Sequence, residues 1–135
     1  MPELADLDLT AILVATVAGF VLGGLWYSPF VLGSAWLRAL GKQTDELGNP
    51  SAAMSATFIS CLLSAFVMAL AVAAADATSA LSGALVGLVL GVGLVAAAML
   101  SDHLFNGWSL ALFCIQAGYR VAQLVLMGAL LGAFA

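Results

Sequence analysis

Charge is what this chain has least of: only 7% of its 135 residues are Asp, Glu, Lys or Arg, while 64% are hydrophobic. A soluble domain carries roughly 25% charge, and no water-soluble core could hide so much apolar surface. Lys and Arg number three, Arg38, Lys42 and Arg120. With no basic stripe, nucleic acid is excluded as a partner. The two cysteines, Cys61 and Cys114, both fall inside apolar runs, where they behave as small hydrophobes and build no disulfide framework. The single histidine, His103, has no further ligands nearby in sequence, so a transition-metal site is not expected. There is no Ser/His/Asp or Cys/His arrangement, no Gly-rich phosphate loop and no pair of carboxylates. No cofactor, no metal and no catalysis are therefore expected.

What the chain does have is apolar length. A helix crosses the roughly 30 Å hydrocarbon slab in about 20 residues. Four runs meet that requirement, at about 9–27, 51–75, 80–101 and 109–134. The first is not a cleaved export signal, because its flank is acidic (Glu3, Asp6, Asp8) and lacks a positive n-region. The reading is all-α: an integral-membrane four-helix bundle in one domain, 1–135, whose surroundings are the lipid bilayer. Asp8 or Asp6 is placed to cap the first helix, and Asn49 with Pro50 to start the second span.

The connection between the first two spans begins Ser28-Pro29, a start signal for a short helix at about 29–41. Ser34, Arg38 and Lys42 recur on one side of it, with Leu32, Trp36 and Leu40 opposite. That pattern predicts an amphipathic helix lying in the membrane interface. Its two basic residues place this loop inside by the positive-inside rule, hence the N-terminus and C-terminus outside. Trp26, Tyr27, Trp36 and Trp108 would then share one interface, where amphipathic rings prefer to sit.

The spans carry small residues at every fourth position: Ala11, Ala15, Gly19 and Gly23; Cys61, Ala65, Ala69 and Ala73; Ser79, Gly83, Gly87 and Gly91; Gly128 and Gly132. Such stripes let helix backbones approach in a solvent that supplies no hydrophobic drive for association. Some must serve the fold, and one left facing lipid would serve a homo-oligomer or another membrane subunit.

One charge stands inside a span. A guanidinium at bilayer depth costs roughly 2.5 to 3.5 kcal/mol even on the lenient scale, so Arg120 needs compensation. At about 100° per residue, Ser109, Gln116, Arg120 and Gln123 share a wedge of roughly 60°, a polar stripe expected to face inward. Asp102 is one candidate counter-charge; if the third span continues as an α-helix, Asp102 falls on the side of Gly91. The other partners weighed are Gln116, Gln123, backbone carbonyls, Ser60, Ser64 and a lipid headgroup reached by snorkelling.

Gly23-Gly24-Leu25-Trp26-Tyr27-Ser28-Pro29 with Gly33, Trp36 and Gly41, together with Asp102 to Ser109 and Ala117-Gly118-Tyr119-Arg120, resembles the DUF1761 family of small bacterial membrane proteins. The resemblance spans nearly the whole chain, with Trp108 standing where a basic residue would be expected. It implies a four-helix protein of the bacterial cytoplasmic (inner) membrane and no particular chemistry. Two functional expectations follow from the residues. The first is a non-enzymatic protein acting by helix packing or assembly. The alternative is an oligomeric carrier or channel for a small solute, lined by Arg120 and its glutamine neighbours. The site expectations are an intramembrane set, Arg120, Gln116, Gln123 and Asp102, and an interface set, Trp26, Tyr27, Ser28, Pro29, Trp36 and His103.

Overall fold

The computed structural model describes residues 7–28, 31–41 and 50–135. Five helices account for the regular structure there: α1 (Leu9–Trp26), α2 (Gly33–Leu40), α3 (Pro50–Ala74), α4 (Ala80–Phe105) and α5 (Leu110–Phe134). All but α2 are long and apolar enough to cross a membrane. The sequence readings that fall on Glu3, Asp6, Pro29, Lys42 and Asn49 lie outside the described residues.

Local chemistry sets the helix ends. Asp8 caps α1 by accepting from the N–H groups of Thr10 and Ala11 at 2.9 and 3.2 Å, meeting two of the donors a helix start leaves orphaned. Ser79 and Ser82 form a reciprocal capping box at the start of α4, and Ser109 accepts from Leu112 N–H at the start of α5. The α3–α4 turn needs a left-handed residue, supplied by Asp76 at φ 53°. Behind it Asp76 N–H donates to Ala73 O and Ala77 N–H to Val72 O, so the last carbonyls of α3 are satisfied.

The fifth helix is the hub, touching α1, α2, α3 and α4, and its seam with α4 is the most extensive in the molecule. That seam is built on missing side chains. A Cβ on Gly83 would run into Gly128 O, one on Gly87 into Leu124 O, and one on Gly132 into Ser79 O. The two backbones therefore touch directly, which maximises dispersion contact where lipid supplies no hydrophobic drive. The stripe on α1 also turns to α5: Gly19 meets Gln123 and Met127, while Gly23 meets Tyr119. On α3, Cys61, Ala65 and Ala69 are buried and Ala73 is half-buried. Each small-residue face is thus occupied within the chain.

The fourth helix is not uniform. Its α-helical halves, Ala80–Leu90 and Ala97–Phe105, flank a π-helical segment, Gly91–Ala96. A π-bulge accommodates one extra residue, so every later residue moves back by about 100° relative to a continuous α-helix. Counted without the bulge, Asp102 sits about 20° from Gly91 and His103 about 120° away. With it, His103 takes the place near 20°. The structure follows the second count: His103 is 3% exposed and faces α5, while Asp102 is exposed. The helix also runs to Phe105, beyond the expected end at 101.

Candidate functional site

The polar residues of α5 do not act as one stripe but divide among three neighbours. Gln116 goes to α4. His103 Nδ1–H donates to Met99 O at 2.8 Å, and Nε2 lies 2.7 Å from Gln116 Oε1. In a neutral ring with its proton on Nδ1, Nε2 accepts from the Gln116 amide with that amide turned over; an imidazolium donates to Oε1 as it stands. The edges of Trp108 and Phe113 close on the imidazole at centroid distances of 4.9 and 5.7 Å. His103 is therefore a buried clamp between α4 and α5 rather than an interface residue. Among the described residues, no three His, Cys, Asp or Glu side chains converge.

Gln123, 2% exposed, goes to α3, donating from Nε2 to Cys61 Sγ at 3.0 Å. Tyr119 goes to α1: its hydroxyl donates to Gly19 O at 3.0 Å, and Cys61 Sγ lies 4.0 Å away. The hydroxyl reaches that carbonyl because Gly23 has no side chain, and a Cβ there would stand 2.7 Å from the Tyr119 oxygen. Tyr119, Gln123 and Met127 run along one buried face of α5, with Cys61 buried against it. Ser109, the remaining member of the wedge, is spent on the helix cap.

Among the described residues Arg120 has no carboxylate partner. Its Nη1–H reaches Gln123 Oε1 at a long 3.4 Å, and its guanidinium stacks 5.0 Å from the centroid of the Tyr119 ring. The pairing with Asp102 weighed from sequence does not form, because the π-segment turns that carboxylate outward. Guanidinium has five N–H donors in a planar fork. Only one is engaged by a described residue.

The depth of Arg120 follows from the antiparallel register of α1 and α5. Gly19 lies against Gln123, Gly23 against Tyr119, and Trp26 against Gly118. Trp26 Nε1–H also donates to Ile115 O at 2.9 Å. Arg120 is thus level with about one turn before the end of α1, or about 5 Å inside it at 1.5 Å per residue. Counting from Ser109 exaggerates its depth, since the α4–α5 hairpin extends past the end of α1.

Beside Arg120 a cleft of about 320 Å³ opens between α1, α2, α3 and α5. Phe20, Tyr27, Trp36, Met54 and Thr57 are among the residues that line it, with Tyr119 and Arg120 as its polar end. Tyr27 joins the rings, its centroid 5.1 Å from Trp36 and 5.6 Å from Tyr119. Burial pushes the Tyr27 phenol above its ordinary pKa, more than the Arg120 charge lowers it, so it stays a neutral hydroxyl. Trp36 Nε1–H is buried with no acceptor. The short helix that carries it keeps its polar Ser34 and Arg38 exposed and leans on α5. Gly33 allows this close return, since a Cβ there would strike the backbone of Tyr27 and Ser28. Ser28 itself closes α1, its hydroxyl donating to Leu25 O at 2.8 Å.

Tyr27 and Trp36 of the interface set thus come together with Arg120, and Trp26 and Gln123 pack beside them, whereas Asp102, His103 and Gln116 stand apart. Tyr119, Cys61 and the π-segment were not singled out from sequence as site features. The one signal available was Tyr119 beside Arg120, opposite a glycine stripe on α1.

A family model described as a protein of unknown function (DUF1761) matches residues 10–132. No curated protein matches the chain, and no solved structure does.

Proposed function

The chain belongs to the DUF1761 family, whose description assigns no activity, and from its geometry we propose a non-enzymatic membrane protein that binds an anionic group at Arg120. The observation that carries this reading is a half-buried guanidinium with no carboxylate partner among the described residues, at the wall of an open cleft. A cation held in place by stacking on Tyr119 and contact with Gln123 is pre-organised for an anion, because less rotamer freedom remains to be lost on binding. Charge-assisted hydrogen bonds to guanidinium are among the strongest available to a small ligand.

Binding is favoured over conduction through a single chain. Beyond Tyr119 the next residues on that face of α5, Gln123 and Met127, are buried, as is Cys61 opposite them, which supports a closed end rather than a path through the chain. Assembly through small-residue faces is the weaker reading, because those faces are occupied by neighbouring helices of the same chain. By the positive-inside rule the cleft opens at the cytoplasmic side of a bacterial inner membrane.

The test is collisional quenching of tryptophan fluorescence in nanodiscs of phosphatidylcholine. The Trp36 signal is isolated as the difference between the unaltered chain and Trp36→Phe. Iodide, an anion, should quench it more efficiently than neutral acrylamide, and Arg120→Gln should remove the excess. Equal iodide quenching with and without the guanidinium would refute the reading.

A further inference from the structure

We propose that the occupant of this cleft is an anionic phospholipid, its phosphate on Arg120 and its glycerol end against the rings of Tyr27 and Trp36. The proposal rests on the anion-binding reading above and adds the class of ligand. Three observations carry it. First, the guanidinium stands about one turn inside the end of α1 by register, close to the level of Trp26, Tyr27 and Trp36. Rings of that kind sit at headgroup level, where a lipid phosphate is found and a mid-bilayer solute is not.

Second, the cleft opens sideways. Gly24, Ala53 and Met54 line it and are also exposed, Met54 at 58%, on surfaces of α1 and α3 that a bilayer would cover. Phe58 continues that exposed surface along α3, with its ring edge-on to Phe20 at a centroid distance of 5.6 Å. An acyl chain leaving the cleft would lie on Met54 and Phe58. A volume of about 320 Å³ lies at the small end of the roughly 300–1,000 Å³ usual for ligand pockets, suited to the headgroup end of a lipid with its chains outside.

Third, the lining beyond Arg120 is wrong for a free hydrated anion. Apart from the hydroxyls of Tyr27 and Thr57, side chains such as Phe20, Ala53 and Met54 give an inorganic ion nothing to replace its water, whereas a lipid buries apolar surface against them. Trp36 Nε1–H, also at the wall, is buried and has no acceptor among the described residues. A phosphate or glycerol ester oxygen reaching it by a small shift of the wall would satisfy a group whose isolation costs free energy.

The experiment uses the full chain in nanodiscs mixing phosphatidylcholine and phosphatidylglycerol, with bromine near the glycerol end of the acyl chains of one lipid at a time. Bromine quenches tryptophan on contact, and the Trp36 signal is again read against Trp36→Phe. Brominated phosphatidylglycerol should be enriched at Trp36 about fivefold over brominated phosphatidylcholine at equal mole fraction, the preference one basic residue gives at a membrane surface. Arg120→Gln should abolish that preference and Arg120→Lys should keep part of it. Equal quenching by the two lipids overturns the proposal. If the iodide response survives in that case, the site takes a free anion; if iodide also fails, the anion-binding reading falls with it. Inorganic phosphate titrated into pure phosphatidylcholine discs supplies the free-anion arm, and a rise in unfolding temperature there that matches the effect of phosphatidylglycerol also overturns the lipid assignment. Should Trp36→Phe not fold, the unfolding temperature of the unaltered chain in discs with and without phosphatidylglycerol gives the same decision: a rise abolished in Arg120→Gln supports the proposal, and a rise retained there opposes it.

Discussion

The two halves of α5 are built by opposite means. From Leu124 to Phe134 the helix meets α4 through glycines, Gly128 and Gly132 lying on the backbone of Gly83 and Ser79, and Met127 and Leu131 are sealed inside. From Ile115 to Gln123 it carries polar side chains, each answered by a different neighbour: Gln116 by His103, Tyr119 by Gly19 O and Gln123 by Cys61. The first half is held by what its residues lack and the second by what they donate. The one charged residue of the helix, Arg120, lies in the second and has no carboxylate partner among the described residues. Along the α4 seam backbone contact leaves no room for an occupant, whereas side chains holding helices apart leave a cleft beside Arg120.

The largest effects should break the sealed half. Gly83→Leu forces a side chain into Gly128 O, and because neither backbone can yield, the bundle should lose at least about 3 kcal/mol or fail to assemble. Gly93→Leu is the control, since a Cβ there meets nothing within 4 Å; thermal unfolding in detergent should show it within about 0.5 kcal/mol of the unaltered chain.

Next in size is the register device between the halves of α4. Deleting Gly93 should convert the π-segment to α-helix, turning Asp102 inward and His103 out. Losing the His103 clamp while burying a carboxylate should cost about 2 to 4 kcal/mol in the same assay. An unchanged unfolding temperature would mean that the bulge does not set the register. A smaller change addresses the clamp alone: His103→Phe keeps a ring between Trp108 and Phe113 but strands the Gln116 amide, at about 1 to 3 kcal/mol. If Gln116→Leu on that background restores much of the loss, the stranded amide is its cause.

The smallest stability effect should fall on the charge itself. Since Arg120 has no carboxylate partner among the described residues, Arg120→Gln in phosphatidylcholine discs should shift the unfolding free energy by no more than about 1 kcal/mol, the range for weakly partnered charges. A loss comparable to that of Gly83→Leu would show the guanidinium to be structural glue.

Most of the fold was legible in the sequence because bilayer thickness converts directly into run length. Four apolar stretches became four helices long enough to span, and the four-spaced glycines marked the surfaces that meet; a short helix does follow the first, but it starts at Gly33 without a side-chain cap, and Ser28, read as its start, closes α1 instead. The site was legible only in part. Gln116, Arg120 and Gln123 share a wedge, but a wedge does not say which neighbour takes which residue. Asp102 was placed on the side of Gly91 by counting a continuous α-helix, and the extra residue in Gly91–Ala96 moved His103 there instead. Nothing in the pattern of Gly91 and Gly93 specifies a π-turn, because the gain lies in the contact His103 makes with Gln116 on the next helix. The depth of Arg120 was hidden for a similar reason: it depends on the register between α1 and α5, set by Gly19, Gly23 and Gly118 meeting larger side chains.

The lipid assignment meets its most direct test in native mass spectrometry of the chain released from discs of equal phosphatidylcholine and phosphatidylglycerol. The account predicts a single retained phosphatidylglycerol on the unaltered chain, reduced in Arg120→Lys and lost in Arg120→Gln while that variant stays folded. The same retained lipid in Arg120→Gln, or no preference between the two headgroups in the unaltered chain, would contradict it.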